Sequence, residues 1–188
     1  MADNLNRYRL LKIADEHQHL AMAFMSEYKT KKYGKNVLGV PDDTFYGFIY
    51  DGKMGELVFK AFLDSEHVDH KCPDILKPHP GYFNREGSDF ELTKTNETVD
   101  VKTTRNDHKI RLLVRDDQFR ARRHDVYVGQ RIGGKPSTLE CWGYVTGSEL
   151  ANVPPSADFG HGPCRYWLLS DLHPIDEFVL KARGGVRF

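Results

Sequence analysis

Asp89, Glu91, Asp100 and Lys102 are the residues whose types and spacing suggest chemistry. They fall in two alternating runs, 88–93 and 99–104, with the turn-forming residues 95–98 between them, which is the pattern of a β-hairpin. Side chains alternate along a strand, so Asp100 and Lys102 share one face and Val99 and Val101 the other. By the same period Asp89 and Glu91 share a face, with Phe90 and Leu92 behind them. Two carboxylates and an ammonium on adjacent strands are the parts of a hard-cation site, because Mg²⁺ or Mn²⁺ takes oxygen ligands and one or two carboxylates commonly suffice. A lysine beside them can hold an attacking water or steady charge developing at phosphorus. That chemistry is metal-assisted phosphodiester hydrolysis, and it needs no covalent nucleophile. A turn centred near Asn96 pairs Asp89 with Lys102 and Glu91 with Asp100, which makes Glu91 a rival to Asp89 as a ligand.

These strands need elements to position them. Apolar residues at Leu5, Tyr8, Leu11, Ala14, Ala21, Phe24 and Tyr28 predict a long N-terminal helix from Asn4 to about Tyr33, stopped by Gly34. Residues 36–50 carry turn formers between aromatics and read as loop. A second helix is expected from Asp51, as its N-cap, to about Ser65. Leu57, Val58, Ala61 and Phe62 make one apolar stripe and Phe59 and Leu63 another, so this helix is expected to be largely buried. Glu56 lies on the second stripe, where a carboxylate needs a reason. Completing the acidic cluster would supply one.

Downstream, 66–87 read as loop and 105–124 as a basic polar stretch with a short helix over Asp116–Arg123. Strands are expected over 125–132, 138–146 and 165–172, and a last short helix over 173–182. The order predicts an α/β fold, a mixed central β-sheet flanked by helices with a long helix at the N-terminus. At 188 residues the chain is sized for one domain: an N-terminal helix over 1–35, a core over 51–132, and C-terminal strands and a short helix over 133–188. Twenty-seven basic residues balance twenty-seven acidic ones, so any nucleic-acid site must be a local patch. The sequence has no run of roughly 20 apolar residues, the length a bilayer demands. Its first residues are not those of a signal peptide, and Cys72, Cys141 and Cys164 are too few and too odd for a disulfide framework. A cytoplasmic protein without a membrane partner is expected.

The arrangement resembles the PD-(D/E)xK nuclease superfamily, whose fold is the restriction-endonuclease-like one. The resemblance covers about residues 51–132 and rests on Glu56 in a helix, Asp89 in Gly-Ser-Asp, and Asp100-Val-Lys102 after eleven residues. Ser88 stands where the family name has proline. The resemblance implies that Asp89 and Asp100 bind the metal, that Lys102 serves the water, and that Glu56 assists as a further ligand. Gln118 is similar to a glutamine found on a later helix in some members. The expected activity is that of a Mg²⁺- or Mn²⁺-dependent DNA endonuclease. A RecB-like exonuclease, or a non-catalytic nucleic-acid-binding or assembly module on the same fold, are the alternatives.

From Lys102 to Arg131 nine basic residues stand against four acidic ones, and this excess reads as a phosphate-binding track beside the site. Arg105, Lys109, Arg111, Arg120, Arg122 and Arg123 are the candidate contacts to DNA, positioning backbone without reading sequence. Cutting two strands at once calls for a homodimer, and the N-terminal helix offers a surface for one. His67, His70 and Cys72, or His161 and Cys164, match no familiar zinc spacing. No nucleophile elbow or phosphate-cradling Gly-Lys loop occurs.

Overall fold

The structure, a computed structural model, describes residues 8–31, 41–72, 75, 88–105, 111–133, 135, 137–156 and 162–188. The hairpin is there. Strand β3 (Phe90–Leu92) pairs antiparallel with β4 (Thr98–Thr104) around a tight loop that Asn96 closes in the left-handed region, at φ 58°. Asparagine tolerates that conformation better than most residues. Strand β4 runs parallel to β6 (Val126–Ile132), and the crossover between them is β5 (Arg111–Arg115) followed by helix α3 (Asp116–Ala121). Strand β7 (Thr138–Thr146) returns antiparallel beside β6, and β1 (Arg9–Lys12) lies on its far side. With β2 (His70–Lys71) outside β3, the path is β1-β7-β6-β4-β3-β2, and β9 (His173–Pro174) also pairs with β7. This is a mixed sheet in an α/β fold. A second sheet joins β5 to β8 (Cys164–Leu168).

Each face of the main sheet carries its own core. On one face lies α2 (Asp42–Ser65), with α1 (Asp15–Lys31) against it and α5 (Ile175–Gly184) nearby. Val99, Val101, Val126 and Val128 meet Leu57, Val58, Phe59 and Phe62 of α2 here, and Phe59 packs edge-on against Phe90 at 5.4 Å. Helix α2 crosses β4 at Gly55, where a Cβ would stand 1.9 Å from Thr103 Oγ1 and 2.8 Å from Gln130 Oε1, so the crossing favours glycine. On the opposite face β5, α3 and the short α4 (Gly147–Ala151) bury Leu112, Val114, Phe119 and Leu150 against Tyr127 and Val145.

Three expectations need correction. The N-terminal helix starts at Asp15, not Asn4, because Arg9–Lys12 pairs with residues 138–141 of β7, a partner no local period reveals. Helix α2 starts at Asp42 rather than Asp51: Pro41 and the acidic Asp42 and Asp43 form its first turn, and Phe45 and Ile49 bury themselves against Phe24 and Tyr28 of α1. Strand β5 lies within the stretch read as polar, its Leu112 and Val114 pointing inward between arginines. Among the described residues no helix is long and apolar enough to cross a membrane.

Candidate active site

The β3–β4 ladder pairs Phe90 with Val99 and Glu91 with Thr98, so the next rung sets Asp89 opposite Asp100. The loop begins earlier than a turn centred on Asn96 would, since the Leu92 amide already bonds the Glu97 carbonyl at 2.9 Å. Glu91 therefore stands two rungs away from Asp100, beside Lys71 of β2, with which it forms a 2.7 Å ion pair. The alignment of Asp89 with Lys102 and of Glu91 with Asp100 is corrected by this register. Asp89 also ends the ladder in its own way. Its Oδ2, not a main-chain carbonyl, accepts the Val101 amide at 2.8 Å, which ties the first carboxylate to the strand that carries the second.

Asp100 and Lys102 occupy the face of β4 that Val99 and Val101 leave. In the parallel ladder they are level with Tyr127 and Gly129 of β6. Tyr127 is buried in the core of that face, and at Gly129 a Cβ would stand 2.6 Å from Leu169 Cδ2. Lys102 Nζ lies 2.6 Å from Asp100 Oδ2, with side chains 30% and 14% exposed. Burial pulls the lysine pKa down, yet the charges of Asp100 and Asp89 outweigh it and hold the ammonium above its ordinary value. The structure thus brings Asp89, Asp100 and Lys102 together at the rim where β3 ends.

Glu56 belongs to α2, which packs on the other face of the sheet. It is 5% exposed, and it forms an ion pair with Lys53 one helical turn earlier. Lys53 is itself fully buried and holds its ammonium 4.3 Å above the centre of the Phe24 ring of α1. A buried charge demands a partner, and Lys53 provides the reason that the apolar stripe alone did not. Gln118 lies on α3, half-exposed, on the same side of the sheet as Asp100 and Lys102.

Among the described residues the basic candidates meet different local partners. Arg105 grips Asp51 of α2 with two bonds, 2.5 and 2.6 Å long. Arg120 pairs with Asp116 at 2.7 Å. Arg123 bonds Ser148 at 2.7 Å, and Arg111 lies over the Tyr166 ring at 5.0 Å. Arg122 caps the end of α3, while Lys109 lies outside the described residues. Much of the positive excess is thus met by local carboxylates.

Two neighbours of the site escaped the sequence reading. The Tyr127 hydroxyl accepts the His124 amide at 3.1 Å, and the two rings meet edge to face at 5.7 Å. Burial, with the charges of Lys102 and Arg122, pushes the His124 pKa down to about 4, so its imidazole is neutral at physiological pH. Burial likewise raises the Tyr127 phenol to about 12. The one available signal was the His124–Asp125 pair entering an apolar strand.

Among the described residues no group of three or more His, Cys, Asp and Glu side chains is arranged to hold a metal ion. The donor set at Asp89 and Asp100 is two opposed carboxylates, which fits a hard cation that draws its remaining ligands from water and substrate, as magnesium commonly does. The chain matches no family model, no curated protein and no solved structure.

Proposed function

We propose that the protein is a metal-dependent DNA endonuclease of the PD-(D/E)xK type, on a restriction-endonuclease-like fold. The observation that carries this reading is the Asp89 carboxylate tied to the Val101 amide, next in the chain to Asp100, whose own carboxylate holds the Lys102 ammonium. The order of elements also supports it: a buried helix, a hairpin bearing the acids, then a crossover with a short helix into a strand parallel to β4.

Asp89 and Asp100 would hold Mg²⁺ or Mn²⁺, which when bound supplies Lewis-acid polarisation of a phosphoryl oxygen. The Asp89–Val101 bond ties the first carboxylate to the strand that carries the second. Lys102, charged and about one-third exposed, would orient the attacking water and meet negative charge as it develops on the phosphate. Gln118 on α3 would approach from the same side. We assign Glu56 to the pair with Lys53, where it anchors α2 under α1, in place of a third ligand. Arg111, Arg122 and Arg123 would receive backbone phosphates, and Arg105 and Arg120 would do so by exchanging Asp51 and Asp116.

The test is cleavage of labelled linear duplex and single-stranded DNA in Mg²⁺, Mn²⁺ or EDTA. Cutting that EDTA stops and Lys102→Ala loses is the expected result. A folded protein that retards DNA in a gel and cuts it in neither metal would replace the enzyme with a binding module.

A further inference from the structure

The opposed carboxylates of the site need a cation, and the chain already supplies one. Lys102 Nζ sits 2.6 Å from Asp100 Oδ2, and the charge of Asp89 bears on the same ammonium. These are the oxygens that the nuclease reading gives to a divalent ion. A lysine ammonium and a divalent cation at contact distance from one carboxylate repel each other strongly where little water intervenes. Asp100, with a side chain 14% exposed, is such a place.

We infer that Lys102 is a resident counter-cation, and that its ammonium must leave Asp100 before a divalent ion is held there, so that the lysine sets the site's affinity for that ion. The inference rests on the nuclease reading. Two features make the exchange feasible. The Lys102 side chain is 30% exposed and flexible along its four-carbon stem, so it can swing outward without moving the backbone. Asp89 need not follow it, because its carboxylate is fixed to the Val101 amide at 2.8 Å. A lysine displaced in this way is left facing solvent at the rim, where a substrate phosphate would be its next partner. Nucleic acid and divalent ion should therefore bind cooperatively, each raising the other's affinity by the same factor.

The experiment is titration of the full chain with Mn²⁺, followed by electron paramagnetic resonance without nucleic acid. Lys102→Met removes the competing charge. Lys102→Gln serves the same purpose should the first variant unfold. Either should bind Mn²⁺ tighter by about tenfold or more, whereas Lys102→Arg, which keeps the charge, and Lys71→Met, which strips one from neighbouring Glu91, should stay within about twofold of the parent. Adding Asp100→Asn to Lys102→Met should abolish the tightened binding. Equal Mn²⁺ affinity in the parent and the Lys102 variants would overturn the inference and leave the metal site standing. Equal tightening in Lys71→Met would overturn it too, by reducing the effect to bulk charge. Absence of Mn²⁺ binding in the parent and in Lys102→Met alike would overturn the nuclease reading itself, and the inference with it.

Discussion

Asp89 accepts the amide of Val101 through its side chain, at 2.8 Å, at the rung where β3 stops pairing by main chain. In the nuclease proposal this carboxylate has two jobs, closing the ladder and holding the cation, and the jobs can be separated. Asp89→Ala leaves a part-buried amide without its acceptor and should cost about 1–3 kcal/mol in urea denaturation. Asp89→Asn keeps an oxygen acceptor and should cost less than the alanine variant while losing cleavage. Full cleavage by a folded Asp89→Asn protein would remove this residue from the site.

Lys53 and Glu56 form a buried ion pair beneath α1. Removing one partner takes the opposite charge from a buried ion, so Glu56→Ala should destabilise by about 3–5 kcal/mol, while replacing both with apolar side chains restores much of the loss. Lys53→Met with Glu56→Leu should thus be more stable than Glu56→Ala. Additive losses across that double-mutant cycle would show that the two charges do not support each other.

Gly55 lies where α2 crosses β4. In an exposed helix, alanine for glycine usually gains about 1 kcal/mol. Here the added Cβ would stand 1.9 Å from Thr103 Oγ1, and overpacking of this kind costs about 1–3 kcal/mol. Gly55→Ala should therefore lower the melting temperature, and Thr103→Ala in the same chain should recover part of the loss. A stabilised Gly55→Ala would mean that the helix stands further from the sheet.

The hairpin, its face alternation and the last helix were legible because each is written in a local period. Register was not, because it depends on where the loop starts. A four-residue loop ending at Asn96 moves Glu91 from beside Asp100 to opposite Thr98. Strand β1 was hidden because Tyr8 and Leu11 also suit a helical spacing, and only β7, more than a hundred residues on, decides between the two. Lys53 was passed over because lysine is expected at surfaces, so the partner of Glu56 went unseen. The acid–acid–lysine set was readable from residue type alone. His124 and Tyr127 were not, since their place beside it comes from the parallel β4–β6 pairing.

His124 gives the fold a pH dependence. The unfolded chain takes up its proton near pH 6.5, the folded chain only near pH 4, so the stability carried by the neutral imidazole is complete above pH 6.5 and is lost as pH falls toward 4. At 1.36 kcal/mol per pH unit the loss is about 3 kcal/mol. Protonation would set a charge beside Lys102 and Arg122, offset in part by Asp125. Denaturant midpoints between pH 7 and 4 should fall accordingly, and His124→Gln should flatten that slope. An unchanged slope in the variant would place the titration elsewhere.

In the nuclease proposal Asp89 and Asp100 act as one cation-binding pair. The most direct measurement is nicking of supercoiled plasmid in Mn²⁺ by the parent, Asp89→Asn and Asp100→Asn, with circular dichroism confirming that all three are folded. Metal-dependent nicking by the parent and a loss of at least about a hundredfold in each variant are expected. Parental rates in a folded Asp100→Asn protein would rule out the pair.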